Sequence, residues 1–593
     1  MAVPTYSVYL PVNQPVEVIP VIFVPGMMAS RLKSKKGDII WDPDNMKWAI
    51  KSARTDYQVF RNMIGLTTLP EAELIDNDPL VVEEKGKDRI EMKYGVYDDG
   101  QLKRGFGKCY SGYKDILKYI DKEFYSIDRR SILKKLGIMA QLHVFGYDWR
   151  QPADKILTKF KEFIDNEIKG RLKAEKYIIV THSMGGLVTR KLLQENPDME
   201  KEVLAVIHGN QPAIGAAKFY GYFKSGARRV HSETKEGDIP GYVLACIIGK
   251  KAFDFQYICS DLPGSLILLP TDDYMKNKWL TWEIEDEKTR QEIRSLDGGG
   301  KIKFGKSIWD YYAEPSGVLG LLGKEFKGKY KDIVESFIDN LFAARTFHSA
   351  AGLKSGKDIY AHYETYEISS KNVNTLCGVN LTDKKYSQTE KTIQMGNIVR
   401  FEHHIDTDDI TDGNLDAQLL FSMEGDGTVP YESQTILSWC SKTSGKMMND
   451  GKEHSMIYSA KDVMKYTGDT LESILLGHVC GVTFDKGSAT IKEEEKEKME
   501  RVLLAMSKDA GLRFGVCGYA SDEGDSGYNK ELSKKRAEAL RKYLVEELAK
   551  RTNSSETECG KRFGAAIGKG VISTAEASEE SRKANRKAGV SKL

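Results

Sequence analysis

Short apolar runs rich in valine and isoleucine alternate with stretches of helical spacing along the first third of the chain. Ile19–Val24, Gln141–Phe145, Lys176–Val180 and Glu202–His208 read as buried strands. Cys109–Lys135, Pro152–Lys169 and Leu187–Leu193 read as helices, the second opening on a proline as helix starts often do. This alternation predicts an α/β core with a mainly parallel sheet over residues 1–212. From 213 to 416 it is lost. Apolar and aromatic stretches (Phe253–Tyr257, Leu262–Pro270, Trp279–Trp282) and the glycine break at Gly298–Gly300 predict an inserted lid or cap. An apolar, hinged lid suits a lipid substrate, and an ordinary cap over a small-molecule site is the other reading. The core resumes over 417–480, starting from a strand at Gln418–Ser422. Over 481–593 the pattern restarts: a strand with a turn at Val482–Ile491, a helix at Glu493–Lys508, a strand at Arg513–Tyr519, and a helix at Asn529–Ala549 capped by Asn529. That unit predicts a small α/β sandwich.

The apolar run Lys176–Val180 ends in Thr181-His182-Ser183-Met184-Gly185-Gly186 and passes into a helix. Strand, tight turn and helix make a nucleophile elbow, in which the serine is thrown out at the strand's carboxyl end. Thr181 stands where the first glycine is usual, and it is small enough. A serine hydroxyl needs a base to attack, and the base needs an acid to fix its tautomer. Asp426, in Gly425-Asp-Gly-Thr-Val-Pro430, and His454, after Glu453, follow Ser183 in the α/β-hydrolase order of nucleophile, acid and base. Among ten histidines, His182 adjoins the serine and points away, His143 and His208 sit in strands, His403 and His404 precede the acid, and His478 follows a helix. The strand Ile19–Val24 breaks into Pro25-Gly26-Met27-Met28, a turn suited to aiming a backbone N–H at a substrate oxygen, and also an ordinary strand end.

Composition narrows the partners. The 593 residues are 40% apolar and 29% charged with a net charge of +2, and no basic run interleaves with aromatics, so nucleic acid is not expected. No apolar stretch is long enough to span a membrane, and the first residues show no Sec-type leader. Eight scattered cysteines lack metal-ligand spacing, although Cys517 and Cys559 could pair after export. The acidic loop His403–Gly413 lacks the EF-hand glutamate and reads as solvated rather than as a calcium site. No metal and no cofactor is expected.

Phe23–Gly26, Tyr147–Arg150, His182–Gly186, Gly425–Pro430 and Glu453-His454 together resemble the lecithin:cholesterol acyltransferase-like family of α/β-hydrolases over residues 15 to 475. The resemblance implies a serine acyl hydrolase or acyltransferase acting on glycerolipids. It implies Ser183, Asp426 and His454 as triad, with the backbone N–H groups of Met27 and Met184 as oxyanion hole. Gly518–Ser521, Tyr528-Asn529, Leu532-Ser533, Arg536-Ala537 and Arg582–Lys587 resemble the OmpA C-terminal-like, peptidoglycan-binding domain. That family grips a peptide-stem diamino acid with one Asp and one Arg. Arg536 matches the Arg, while Ser521 stands at the Asp position with Asp522 one residue on. A lipase joined to a wall anchor without a leader implies leaderless export, with a type VI secretion effector acting in a rival's periplasm as the candidate. A secretion-spike protein and a cognate immunity protein are then expected partners, beside a phospholipid membrane surface and peptidoglycan. The alternatives are an esterase or amidase acting on the wall, and a non-enzymatic adaptor.

Overall fold

The computed structural model describes residues 6–9, 17–42, 45–74, 81–84, 89–93, 111–120, 123–124, 132–234, 239–275, 279–283, 307–314, 319–326, 328, 330–348, 360–362, 364–382, 392–395, 398–401, 416–440, 443–571 and 579–592. The first strand of the central sheet is β1 (Glu17–Val24), and helix α1 (Ser111–Ile120) and strand β2 (Ile138–Val144) lie further along the chain. Strand β3 (Tyr177–His182) leads into α2 (Met184–Glu195) and then β4 (Val203–Gly209). After the cap come β5 (Thr365–Lys371), β6 (Gly445–Asp450) and α3 (Lys461–Val479). The six strands form one sheet in the order β6-β5-β4-β3-β1-β2, every neighbouring pair parallel. From β1 the chain moves one way to β2, then crosses back to build β3 to β6 on the other side. The reversal puts a crevice beyond the carboxyl ends of β1 and β3, where ligands bind in such sheets.

The apolar strands are continuous because both sheet faces are covered. Alternate side chains feed different cores: Ile22, Val24 and Ile179 pack toward the cap. Val21, Phe23, Ile178 and Val180 join a second core that continues into the C-terminal domain.

Several elements differ from the sequence expectations. The stretch expected as inserted cap contains β5, so the central sheet is re-entered at Thr365 rather than at 417. The strand expected at Gln418–Ser422 to restart the core runs over Asp416–Ser422 and instead pairs antiparallel with Thr375–Thr382 in a separate three-stranded sheet. Of the helix expected over 109–135, the structure describes Ser111–Ile120 and Ile132–Lys135 as separate helices. The helix expected from Pro152 to Lys169 is α-helical over Ala153–Phe163 and widens to π-helical turns over Ile164–Arg171. The strand expected to reach Ile491 ends at Thr483, because the chain turns at Asp485–Ser488. The acidic loop His403–Gly413 and the Gly298–Gly300 break lie outside the described residues.

The C-terminal domain has a four-stranded sheet of β7 (Gly481–Thr483), β8 (Phe514–Ala520), β9 (Phe563–Val571) and β10 (Lys587–Lys592), in the order β7-β10-β8-β9. Helix α4 (Ser526–Thr552) packs on it. Its N-cap is Asp525, whose carboxylate accepts from the Tyr528 N–H. Asn529, expected as the cap, lies inside the helix with its amide donating to the Glu523 carbonyl at 2.8 Å. Cys517 and Cys559 are buried free thiols. Helix α3 passes into β7 with only Cys480 between them. A Cβ on Gly589 would sit 3.5 Å from the Cα atoms of both Gly477 and Gly481, so β10 crosses α3 at a seam of glycines. Val479, Cys480, Val482 and Val590 close one core around that seam. Lys135–Asp509 (2.6 Å), Arg501–Glu17 (3.5 Å) and Lys587–Glu364 (3.7 Å) rim it. Among the described residues no helix is long and apolar enough to cross a membrane.

Candidate active site

Ser183 stands at the turn between β3 and α2 with φ +51° and ψ −126°, backbone angles a serine adopts only when its surroundings enforce them. The enforcement is visible. The Ser183 N–H donates to the Gly209 carbonyl at 2.9 Å, and Tyr458 donates to the Thr181 carbonyl at 2.9 Å. The small neighbours are obligatory: a Cβ on Gly185 would lie 2.4 Å from the Val24 carbonyl oxygen, and one on Gly26 2.9 Å from the Ser183 Cβ. The Thr181 hydroxyl is within 2.8 Å of His208 Nδ1, a bond glycine could not make.

His454 follows β6 and brings Nε2 to 2.9 Å from Ser183 Oγ, and its Nδ1 is 2.7 Å from Asp426 Oδ2. Asp426 is fully buried, and its Oδ1 accepts from the N–H groups of Thr428 (2.9 Å) and Val429 (2.7 Å). Although its strand lies outside the central sheet, Val373, just past β5, bridges to Asp426 and sets it beside the other two. The His454 N–H donates to the Asp426 carbonyl at 2.8 Å, so backbone and side chain are both fixed. A carboxylate can only accept, so His454 carries its proton on Nδ1 and presents its Nε2 lone pair to the Ser183 hydroxyl.

The two expected oxyanion donors flank Ser183. Met184 opens α2, whose N-terminus favours negative charge, and Met27 lines the cavity in the loop after β1. No hydrogen bond among the described residues engages either N–H. The surrounding loop is tightly held. Tyr147 donates to the Pro25 carbonyl (2.9 Å), the Gly26 N–H donates to the Tyr113 hydroxyl (3.2 Å), and Trp41 donates to the Met28 carbonyl (2.8 Å).

Sequence reasoning passed over three of these supports. Tyr113, on α1, lies 2.6 Å from His182 Nδ1, and His182 Nε2 lies 2.9 Å from the His454 carbonyl. Burial holds His182 far below the usual histidine range, with His454 adding to the effect, so it stays neutral. Lys218, from the cap, donates to the Gly427 carbonyl at 2.8 Å and braces the loop that carries Asp426. Nothing near these residues in sequence signals the roles, because each partner comes from a distant segment.

Ser183, His454 and Met27 open onto a cavity of about 760 Å³. Much of its lining is apolar, including Trp41, Phe60, Phe219, Ile248, Phe255 and Leu262, while Gly451, Lys452 and Glu453 directly precede His454 in the same lining.

The C-terminal domain does not bring Asp522 and Arg536 together. Asp522 pairs with Arg582 at 3.0 Å. Arg536 is buried over the Phe484 ring and donates to the carbonyls of Ser488 (2.9 Å), Tyr519 (2.9 Å) and Asp485 (3.1 Å). Ser521 donates to Glu523 (3.0 Å), whose carboxyl is held down to about 2 by Lys486 and Arg586.

The sequence model of the lecithin:cholesterol acyltransferase family matches residues 117–455, more than half the chain, and that of the OmpA family matches 483–585. Among solved structures, a chain of the Tle4–Tli4 complex is 17% identical, covering 78% of this chain and 99% of that one at a TM-score of 0.52, a likeness of fold. The peptidoglycan-associated lipoprotein from Burkholderia pseudomallei is 21% identical over 19% of this chain and 88% of its own (TM-score 0.16). The cell wall anchor of the T6SS from Pseudomonas aeruginosa is 25% identical over 18% and 72% (TM-score 0.14). No curated protein matches the sequence.

Proposed function

Since this chain belongs to the lecithin:cholesterol acyltransferase family, we propose that it is a serine-dependent phospholipase of the A type, working through an acyl-enzyme. The observation that carries this reading is the Ser183–His454–Asp426 hydrogen-bonded series, whose Ser183 and His454 line a largely apolar cavity. Ser183 Oγ attacks the acyl carbonyl as His454 Nε2 takes its proton, and Asp426 stabilises the imidazolium. The oxyanion is received by the Met27 and Met184 N–H groups, and His454 returns the proton to the departing lysolipid. Water, activated by the same His454, then releases the fatty acid and restores the serine. An alcohol in place of water would give a transacylase. The apolar wall favours an acyl chain over a glycan, which argues against an esterase of the cell wall.

The C-terminal domain anchors the enzyme to peptidoglycan, and the Tle4 likeness makes a type VI effector with an immunity partner the setting we favour. Anchoring here works differently from a simple Asp–Arg grip, since a ligand amine would have to displace Arg582 from Asp522. The test is mass spectrometry of products from mixed phospholipid vesicles, comparing wild type with Ser183→Ala, together with sedimentation of the full chain with purified peptidoglycan. Fatty acid and lysolipid from wild type alone are expected. Equal release from both proteins, or none from wild type, overturns the phospholipase reading, and a chain left in the supernatant overturns the anchor.

A further inference from the structure

Ser183, His454 and Asp426 account for proton transfer, but an oxyanion hole works only if its donors are aimed before substrate arrives. Met27 sits in a loop, where a peptide plane can rotate unless something prevents it. The plane just before it, Pro25–Gly26, is bonded at both polar ends: its carbonyl accepts from Tyr147 at 2.9 Å and its N–H donates to Tyr113 at 3.2 Å. Tyr147 lies on the segment after β2, and its own N–H donates to Ser30 Oγ (3.0 Å) at the far side of the same loop. Tyr113 lies on α1. Both rings are buried. Gly26 lies against the nucleophile, so there is no room for the plane to drift toward Ser183.

The Tyr113 bonds can run in only one direction. The His454 carbonyl can only accept, so His182 carries its proton on Nε2, and its bare Nδ1 accepts from the Tyr113 hydroxyl. The Tyr113 oxygen is then the acceptor for Gly26. One series of bonds therefore joins the oxyanion loop to the backbone of the catalytic base: Gly26 N–H to Tyr113, Tyr113 to His182, His182 to the His454 carbonyl.

We propose that Tyr113 and Tyr147 are positioning residues that clamp the Pro25–Gly26 peptide and so aim the Met27 N–H, and that Tyr113, through His182, holds this loop in register with His454. The inference rests on the serine-hydrolase reading above. Neither tyrosine touches the reacting atoms. Each sets the geometry of a group that does. Without Tyr113 the Gly26 N–H and His182 Nδ1 both lose their partner, and loop and base are free to shift independently. Without Tyr147 only the carbonyl end is released, so the effect is smaller.

The experiment compares wild type, Tyr113→Phe, Tyr147→Phe, Ser183→Ala and Tyr177→Phe as full-length proteins on a soluble short-chain nitrophenyl ester. Tyr177→Phe is the control, a buried tyrosine of β3 whose hydroxyl faces Glu202 (3.4 Å). Active sites are counted by fluorophosphonate titration, and an alkylboronic acid probes the tetrahedral state. Tyr113→Phe should lower kcat per titrated site about 10- to 100-fold, the scale of a displaced catalytic group or a weakened oxyanion donor. KM should stay near wild type, the boronic acid should weaken by the same factor as kcat, and Tyr147→Phe should show a smaller change of the same kind. Tyr177→Phe should match wild type. If Tyr113→Phe merely reduces the number of titratable sites while kcat per site is unchanged, the clamp is refuted. Should Tyr113→Phe not fold, Tyr147→Phe puts the same question from the other end of the peptide, and an unchanged boronic acid affinity there refutes it. Activity in Ser183→Ala equal to wild type would overturn the hydrolase reading itself, a result separable from failure of the clamp.

Discussion

Asp426→Asn tests the reading of the triad most sharply, because the structure dictates how the amide must lie. Asp426 Oδ1 accepts two buried backbone N–H groups, from Thr428 and Val429, while Oδ2 faces His454 Nδ1. In the variant, the amide oxygen is required at the two N–H donors. Turning the NH2 toward them would leave both unsatisfied, at about 1–3 kcal/mol each. The NH2 therefore faces His454 and forces Nδ1 to be the acceptor, which moves the imidazole proton to Nε2. That proton now points at Ser183, and the base can accept nothing. The preference of about 2–6 kcal/mol keeps the working tautomer rare, so kcat should fall between about 30-fold and 10⁴-fold. Both backbone bonds survive, so Tm should move by only a few degrees. The assay is kcat on a soluble ester per fluorophosphonate-titrated site, with Tm by calorimetry. A loss below about tenfold in a folded variant would refute the tautomer argument and Asp426 as the acid.

Gly26→Ala puts a methyl 2.9 Å from the Ser183 Cβ, against a normal carbon contact of about 3.5–4.0 Å. The displacement should slow fluorophosphonate labelling about 10- to 100-fold, and unchanged labelling would show that the loop yields freely. Burial raises the carboxyl of Glu367 on β5 to about 7, outweighing its bonds from Ser438. The folded state then binds the proton more tightly than the unfolded chain, so stability falls as pH rises from the ordinary value of 4.5 through about 7. Glu367→Gln should flatten that part of a urea-midpoint-against-pH curve, a change of order 1–3 kcal/mol, and an unaltered slope would exclude Glu367 as its source. A chain ending at residue 480 loses the partners of Val479 and Cys480 in the shared core. It should express as aggregate or melt well below the full chain, at roughly 1.5–3 kcal/mol per large apolar side chain exposed, and a truncated hydrolase as stable as the whole would refute the shared core.

The elbow was legible because its chemistry is local: an apolar strand, a small-residue turn and a helix occupy consecutive positions around Ser183. The same holds for the glycine-flanked Asp426, and the order along the chain selected His454, which lies within hydrogen-bond distance of Ser183. The membership of strands was less legible. Asp416–Ser422 has the apolar content of a core strand but finds its partner in Thr375–Thr382, and pairing is decided by segments far apart in sequence. Thr365–Lys371 reads as half polar, and burial of Glu367 inside the sheet leaves no signature in a periodicity. In the sequence Tyr147 stands out only within the Tyr147–Arg150 motif, and Tyr113 belongs to no motif. Their hydroxyls matter only because α1 and the loop after β2 converge on Pro25 and Gly26. At α4 local rules sufficed but were applied one turn late, since Asp525 is the cap that directly precedes the first helical residue.

The glycine seam between α3 and β10 has a mechanical meaning. A flexible tether would let an anchored enzyme sweep a volume set by its linker, and its encounter with substrate would be a matter of effective concentration. Here α3 runs into β7 with one residue between, Gly477, Gly481 and Gly589 pack together, and a single core joins the two domains. Wherever the tail is fixed, the cleft faces one direction at one height, like a tool on a bracket. Under the proposed function, access to lipid depends on the spacing and tilt of the surface that would hold the tail, and a few glycine-rich residues inserted after Cys480 would convert that reach into a searching one.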